Sequence, residues 1–245
     1  MIFLKKLVRR IIGYRFIIYW SVFRAYFFGE QEIRILKTLI TPGKAAVDVG
    51  AHIGIYTWFL SRYCDYVHAF EPHPESFKRL KGGALGNVAL YNIALSDKTG
   101  NAELFVSTSE EEDTALGTMN DLNLDARVKK YVIHTATLDS FNLKNIGFIK
   151  IDVEGHEAAV LEGGIQTIAR ERPVILVEIE QRHMSMPISD VINRFLILGY
   201  DGYFYSEGGL KSVEEFSYKT HQEKYLDNPH SQNYINNFIF KPKRS

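Results

Sequence analysis

The sequence predicts an α/β fold in which a mostly parallel sheet carries helices on both faces. From Ala45 onward, short apolar runs typical of strands alternate with longer stretches typical of helices. The 245 residues are 46% hydrophobic, which suffices for one sizeable core. Neither an internal repeat nor a linker rich in Pro or Ser interrupts the chain, so we expect one domain, residues 41–245, after a helical extension of residues 1–40.

The extension begins with a basic amphipathic segment. Residues 1–29 contain six Lys and Arg residues and no acid, so the other residues carry a net charge of −6 against a total of zero. Apolar residues at positions 4, 7, 8, 11 and 12 predict a helix, and Phe16–Phe23 is too short an uncharged run to span a membrane. Two interpretations stay open. The helix either caps the main domain or makes a peripheral contact with anionic lipid on the inner face of a membrane.

Four predicted strands lead directly into an acidic residue. The pairs are Ala45–Val47 with Asp48, Tyr66–Phe70 with Glu71, Phe148–Ile151 with Asp152, and Val174–Val177 with Glu178. In a doubly wound sheet the carboxyl ends of the strands line the ligand crevice. We therefore expect four carboxylates to gather at one edge of the sheet, and we place the site there.

The turn after the first of these strands indicates the kind of ligand. It is rich in glycine, but His52 and Ile55 occupy the second and third glycine positions of a dinucleotide motif, and no Walker sequence follows. This pattern favours a nucleoside without a pyrophosphate. Glu71, at the end of the next strand, can accept both ribose hydroxyls. S-adenosylmethionine meets these demands, since its sulfonium cation favours acids such as Asp48.

Five segments together form a more specific pattern. They are Val47–Gly54, Phe70–Pro72, Asn92–Asp97, Thr137–Asp139 and Ile149–Glu157. These segments resemble the FkbM family of S-adenosylmethionine-dependent methyltransferases over residues 41–180, and the last of them is the most specific. The resemblance implies a class I methyltransferase Rossmann-like fold with a seven-stranded, mostly parallel sheet. It also implies O-methylation of a hydroxyl on a sugar or polyketide-like acceptor.

The same resemblance implies which residues bind the methyl donor. Asp48, Gly50 and Gly54 would surround its methionine part, Glu71 would bind the ribose, and the segment 94–96 would lie along the adenine. His52 stands where the family most often has Asn. The full set of predicted donor-binding residues is Asp48, Gly50, His52, Gly54, Glu71, Pro72, Ala94, Ser96 and Asp152.

The segment after the fourth strand supplies the candidates for proton transfer. Methyl transfer from a sulfonium is an in-line displacement, so the protein positions the acceptor oxygen and, for an alcohol, removes its proton. His156, at a helix N-terminus, is expected to be neutral near pH 7 and could be the base. Asp152 and Glu154 are alternative bases, or they bind the acceptor's hydroxyls. Glu157 is expected only to cap the helix.

Acceptor contacts are predicted at Glu154, Glu178 and His183, which follow the fourth and fifth strands. A divalent metal held by Asp152, Glu154 and Glu178 is chemically possible, but no spacing requires one, and none is predicted. Lys150 lies inside an apolar run, which predicts an ion pair with an acid of a neighbouring strand.

Two further regions complete the prediction. The polar stretch Ser107–Lys130 is either a lid that shapes the acceptor pocket or a mobile loop. A helix is predicted at Ile188–Leu198, and strands at Tyr203–Tyr205 and Tyr234–Phe240 are expected to form an antiparallel edge of the sheet.

Composition excludes several other classes of protein. Charged residues make up 24% of the chain, and Gly and Pro usage is ordinary, which argues against disorder. A single cysteine, Cys64, cannot form an internal disulfide, so a reducing, cytoplasmic location is expected, with this side chain buried. No basic surface with interleaved aromatic residues is evident in the main domain, so no nucleic-acid partner is predicted.

The sequence therefore predicts an S-adenosylmethionine-dependent O-methyltransferase. Its acceptor is expected to be a hydroxyl of a glycan, a lipid-linked saccharide or another secondary metabolite. Two alternatives stay open: a polyketide or peptide acceptor on the same core, and a catalytically inactive S-adenosylmethionine-binding scaffold. His52 argues against a dinucleotide oxidoreductase.

Overall fold

A computed structural model gives the fold and describes residues 18–83, 85–107, 117–118, 128–229 and 231–243. The helices are α1 (18–28), α2 (Glu32–Leu39), α3 (Ile55–Tyr63), α4 (Pro74–Gly83), α5 (Glu157–Gly163), α6 (Ile165–Glu171), α7 (Ile188–Ile197) and α8 (Tyr218–His221). The strands are β1 (Ala45–Val49), β2 (Val67–Phe70), β3 (Val88–Tyr91), β4 (Ala94–Leu95), β5 (Gly100–Ser107), β6 (Gly117–Thr118), β7 (Val128–Ala136), β8 (Ile146–Ile151), β9 (Val174–Glu178), β10 (Tyr200–Ser206), β11 (Gly209–Ser212) and β12 (Asn237–Pro242).

The main sheet confirms the predicted fold class. Its strand order is β11-β10-β12-β9-β8-β1-β2-β3, and β1, β2, β3, β8 and β9 run parallel. The sheet has eight strands rather than seven, because the hairpin of β10 and β11 adds one at the edge. The second predicted antiparallel strand, β12, is not an edge strand, since it pairs with both β9 and β10.

The central strands are continuous apolar runs because both of their faces are buried. Successive residues of a strand point to opposite faces. Val47, Ile149 and Ile175 therefore join one core. Their chain neighbours Ala46, Phe148 and Leu176 join the core on the other face. The sheet consequently presents no open face at its centre, and a ligand must bind at the strand ends.

A smaller sheet lies beside the main one, with the strand order β4-β7-β5-β6. β5 and β7 pair antiparallel along their whole length, from Gly100 opposite Thr135 to Ser107 opposite Val128. Of the predicted lid, Ser107 and residues 128–130 therefore belong to strands, and residues 117–118 form β6. The rest of that prediction lies outside the described residues.

The described part of the extension packs against the main domain. Ile18 and Val22 of α1 are buried, and the ring centroid of Tyr26 lies 6.2 Å from that of Phe59 on α3. The predicted amphipathic helix at positions 4–12 lies outside the described residues. No helix in the part of the chain that the structure describes has the length and apolar character needed to cross a bilayer.

Candidate active site

The turn after β1 touches the end of β8. Gly50 has φ +79°, and a Cβ added there would lie 1.8 Å from the main-chain oxygen of Asp152. Only a glycine allows this approach, because it has no side chain and tolerates a positive φ. His52 follows with φ +49°, a region in which His, like Asn, is more frequent than other residues. The backbone of this turn therefore accommodates His at the position where the resemblance favours Asn.

Glu71 connects the turn after β1 with the turn after β2. Its Oε2 accepts a hydrogen bond from the His52 amide at 2.7 Å, and its Oε1 accepts one from the His73 amide at 2.8 Å. Burial raises the pKa of Glu71 to about 7, although the two backbone donors oppose the shift. Each carboxylate oxygen has a second lone pair, so Glu71 can still accept hydrogen bonds from a ligand.

A cleft of about 770 Å³, here called the narrow cleft, opens between these two turns. Its polar wall includes Glu71, His73, Asp152, Glu154 and His156, and its other lining residues include Pro72 and the apolar group Phe70, Ile93, Ala94, Leu95 and Leu104. The Nε2 atom of His73 is buried without a hydrogen-bond partner among the described residues, while Nδ1 lies 3.0 Å from the Ser76 hydroxyl. The cleft thus combines an apolar pocket with polar groups able to bind a ligand.

His156 is held by a short hydrogen-bonded chain. Its Nε2 lies 2.9 Å from the Ser96 Oγ, and that hydroxyl donates to Asp97 Oδ1 at 2.9 Å. Because the single hydroxyl proton is used by Asp97, Nε2 must carry the proton that Ser96 accepts. Burial lowers the pKa of His156. The imidazole is therefore neutral near pH 7, as expected, with Nδ1 unprotonated.

Asp48 lies beneath the site within β1. It is 1% exposed, and its Oδ2 accepts a hydrogen bond from the Thr57 hydroxyl at 2.5 Å. Burial raises its pKa to about 6, which the Thr57 hydrogen bond and Lys150 partly offset. A carboxylate held this firmly beneath a turn supplies negative charge without being able to move towards a ligand.

Lys150 is the charge that balances this group of acids. Its Nζ lies 3.8 Å from Asp152 Oδ2 and 4.0 Å from Glu178 Oε2, and it donates to Asn237 Oδ1 at 3.2 Å. The pair with Glu178 on neighbouring β9 confirms the predicted ion pair. Burial lowers the pKa of Lys150, but Asp152 and Glu178 outweigh burial, so the net shift is upward.

The acids around Lys150 hold their protons more tightly than usual. Burial raises the pKa of Asp152 to about 6, with Lys150 opposing the shift. Burial and the nearby Asp152 raise the pKa of Glu178 well above its ordinary value. Near pH 7 Asp152 is therefore mostly ionised.

A second and larger cleft, here called the wide cleft, measures about 1810 Å³ and adjoins the first. Seven acidic residues line it among the described ones, namely Glu30, Glu32, Asp48, Asp152, Glu154, Glu178 and Glu180. Lys150 and Arg182 are the cationic side chains in that lining. The narrow and wide clefts share Gly50, His52, Asp152 and Glu154. Two ligands bound in the two clefts would meet at these shared residues.

Glu154 and His183 contact each other rather than acting separately. His183 Nε2 lies 2.8 Å from Glu154 Oε2. Burial lowers the pKa of His183, but the hydrogen bond with Glu154 and the charges of Glu154 and Glu180 together outweigh burial, so the net shift is upward. The structure does not place His183 in the lining of either cleft described above. The structure thus shows His183 in contact with Glu154, and its predicted contact with the acceptor stays a prediction.

Three other predicted residues support the site from outside the clefts. Gly54 begins α3, where an added Cβ would lie 2.7 Å from the Leu80 side chain. Ser96 holds His156, as described above. Glu157 Oε1 accepts the Gly155 amide at 2.9 Å, which is the expected capping contact. Neither Gly54 nor Ser96 lines the two clefts within the described residues, and their predicted contact with the donor stays a prediction.

The extension contributes to the site through contacts that the sequence does not predict. Glu30 lines the wide cleft, and its Oε2 accepts a hydrogen bond from the Tyr56 hydroxyl at 2.5 Å and from Asn237 Nδ2 at 3.3 Å. The ring of Tyr56 lies 5.0 Å from Lys150 Nζ. No local pattern signals these contacts, because tertiary packing alone brings the three segments together. No group of three or more potential metal ligands occurs in the part of the chain that the structure describes.

Comparison with known proteins agrees with this geometry. A family model described as the methyltransferase FkbM domain matches residues 48–201. The hexuronic acid methyltransferase AglP from Haloferax volcanii is 31% identical over 139 residues, which are 55% of this chain and 56% of that protein. The chain thus matches little more than half the length of this relative. The crystal structure of methyltransferase FkbM from Methylobacillus flagellatus KT has a TM-score of 0.53 at 15% identity, covering 82% of this chain and 44% of that one, which shows a shared fold.

Proposed function

The chain belongs to the FkbM methyltransferase family, and we propose that it transfers a methyl group from S-adenosylmethionine to a hydroxyl group of a saccharide. The observation that carries this proposal is the shared wall of the two clefts. Asp152, Glu154, Gly50 and His52 border both of them. A donor in the narrow cleft and an acceptor in the wide cleft would therefore face each other across Asp152.

The residues of the narrow cleft fit this donor. Glu71 keeps lone pairs for the ribose hydroxyls, and the apolar residues beyond it suit an adenine ring. The unpartnered Nε2 of His73 offers a further polar contact. Asp152, in the wall of this cleft, supplies negative charge for the sulfonium and ammonium groups, and Asp48 adds charge from beneath the turn, where it lines the wide cleft. When bound, S-adenosylmethionine supplies an electrophilic methyl group.

Asp152 is the proposed base for the acceptor hydroxyl. Its pKa of about 6 leaves it ionised above neutral pH, yet more basic than an ordinary aspartate. Lys150, 3.8 Å away, keeps the ionised form from becoming too costly to bury. His156 uses Nε2 to bind Ser96 and borders only the narrow cleft of the two. Glu154, held by His183, is proposed to position the acceptor.

The lining of the wide cleft favours a polyhydroxylated acceptor. Carboxylates accept hydrogen bonds from sugar hydroxyls. Arg182 forms an ion pair with Glu180, so its guanidinium group is less available to bind an anionic acceptor. The description of the Haloferax relative as a hexuronic acid methyltransferase supports a sugar as the acceptor. The acidic lining supports attack by a hydroxyl rather than by a sugar carboxylate.

Calorimetry and a methyl-transfer assay test the proposal in sequence. Calorimetry with S-adenosylmethionine first measures donor binding. Donor carrying a labelled methyl group is then incubated with neutral, aminated and uronate-containing oligosaccharides. We expect a labelled product that is stable to mild alkali, as an ether is. An alkali-labile methyl ester would contradict the hydroxyl acceptor, and donor binding without transfer to any of these saccharides would contradict the saccharide assignment.

A further inference from the structure

Helix α1 is apolar on two opposite faces. Ile18 and Val22 are buried against the domain. On the other side Trp20 is 58% exposed, Phe23 50% and Phe27 54%. These three rings form a continuous row, with centroids 5.9 Å apart for Trp20 and Phe23 and 4.8 Å apart for Phe23 and Phe27. A soluble surface does not normally carry such a row, which marks a binding surface.

Two arginine side chains accompany this row. Arg24 lies on α1 itself and is exposed. Arg34 is also exposed and donates hydrogen bonds to the carbonyl oxygens of Tyr26 and Phe27, so it lies at the end of the same helix. In the sequence, residues 1–29 carry six basic residues and no acid. The row of aromatic rings is therefore accompanied by cations that suit an anionic partner.

We propose that the row of Trp20, Phe23 and Phe27, with Arg24 and Arg34, docks on the surface of an anionic membrane. Aromatic side chains insert favourably at the level of the lipid headgroups. Basic residues near an anionic bilayer add electrostatic attraction. A second copy of the chain fits this surface poorly, because it would bring two segments of the same positive charge together.

This docking surface adjoins the wide cleft. Ala25 and Phe28 of α1 line the wide cleft together with Gly29, which follows the helix, and Phe28 is 82% exposed. A chain docked through α1 would therefore hold the opening of the wide cleft near the headgroups. If the proposed function holds, its saccharide acceptor is then one carried on a lipid. The docking itself does not depend on the methyl-transfer reaction.

Vesicle flotation of the full chain tests the docking without any acceptor. The vesicles are pure phosphatidylcholine or equimolar phosphatidylcholine and phosphatidylglycerol. One variant combines Trp20→Ser, Phe23→Ser and Phe27→Ser, and none of these residues lines either cleft. The matched control replaces two exposed apolar residues elsewhere, Val132→Ser and Ile197→Ser, which are 76% and 84% exposed. Circular dichroism and donor calorimetry check that both variants fold.

We expect the wild-type chain and the control to bind the anionic vesicles. The α1 variant should bind them at least about tenfold more weakly. Binding of the wild-type chain to pure phosphatidylcholine should be weaker, and added salt should reduce binding to the anionic vesicles. Equal flotation of the α1 variant and the wild type would overturn the proposal. So would a dimer that the α1 variant abolishes, if the wild-type chain fails to float. If either result were obtained while calorimetry still showed normal binding of S-adenosylmethionine, the docking proposal alone would fail and the proposed function would stand.

Discussion

Replacing Glu71 by Gln tests the donor-binding side of the site most directly. Each Glu71 oxygen already accepts one backbone amide, at 2.7 and 2.8 Å, and keeps one lone pair for a ligand. In Glu71→Gln one oxygen becomes an NH2 group, which can accept from neither a backbone amide nor a ribose hydroxyl. A hydrogen bond to a charged group contributes about 1.5–3 kcal/mol. We therefore expect the affinity for S-adenosylmethionine to fall about 10- to 150-fold at about pH 8.

The pH dependence of donor binding is an independent test of the role of Glu71. The pKa of Glu71 is about 7 in the free protein, and ribose hydroxyls prefer its ionised form. Glu71 must therefore lose its proton before the donor binds, so the donor affinity of the wild-type chain should fall as the pH drops below about 7. Protonation of Glu71 should lower the affinity by up to about tenfold per pH unit. Asp48 and Asp152, with pKa values of about 6, add a second fall at lower pH. Glu71→Gln should lose the first fall and keep the second.

Isothermal titration calorimetry with S-adenosylmethionine measures both effects. Glu75→Gln is the matched control, because Glu75 is exposed in the first turn of α4 and lines neither cleft. The control should bind like the wild-type chain at every pH. An affinity of Glu71→Gln within about threefold of the wild type, with an unchanged pH profile, would show that Glu71 only joins two turns and does not contact the donor.

Three further outcomes are expected. Gly50→Ala should destabilise the chain by about 1–3 kcal/mol more than Gly208→Ala in chemical unfolding. The two glycines have φ values of +79° and +78°, but only at Gly50 would the added Cβ collide with backbone atoms. Equal losses of stability would contradict this close approach. Asp152→Asn should weaken donor binding and, at saturating donor, still slow methyl transfer about 10²–10⁴-fold, while the variant of the exposed Asp201, Asp201→Asn, stays active. A normal rate at saturating donor would remove Asp152 as the base. Lys150→Met should cost about 3–5 kcal/mol of folding free energy at about pH 8. The cost should be smaller at about pH 5, because the neighbouring acids bind protons there. Unfolding curves without this pH trend would refute the pairing of Lys150 with Asp152 and Glu178.

The sequence predicted the assembly of the site because it follows from the direction of the strands. Asp48 is the last residue but one of β1, Glu178 is the last residue of β9, and Glu71 and Asp152 follow β2 and β8 directly. Parallel strands bring their carboxyl ends to one edge whatever the side chains do. Helix α7, found at Ile188–Ile197, was also predicted from the sequence, because the periodic spacing of its apolar residues is visible within a single segment.

The sequence did not predict features that depend on contacts between distant segments. Tyr234 was expected within a strand, but its hydroxyl donates to Glu180 Oε2 at 2.6 Å, and β12 begins only at Asn237. The missed strand β11 did leave a local signal. Glu207 and Gly208 both have positive φ values in the turn before it, and a glycine pair at positions 208 and 209 is typical of such hairpins.

Glu30 shows how the extension and the catalytic centre depend on each other. It follows the aromatic helix by two residues, accepts the Tyr56 hydroxyl, and raises the pKa of Asp152 through its charge, after burial as the main cause. The same short segment thus carries the surface that we propose for the membrane and a carboxylate that tunes the proposed base. Any movement of α1 on a lipid surface would change the distance between Glu30 and Asp152. If both proposals hold, Glu30 would couple docking to proton transfer. Glu30→Gln should lower the pH at which methyl transfer reaches half its maximum without changing vesicle binding.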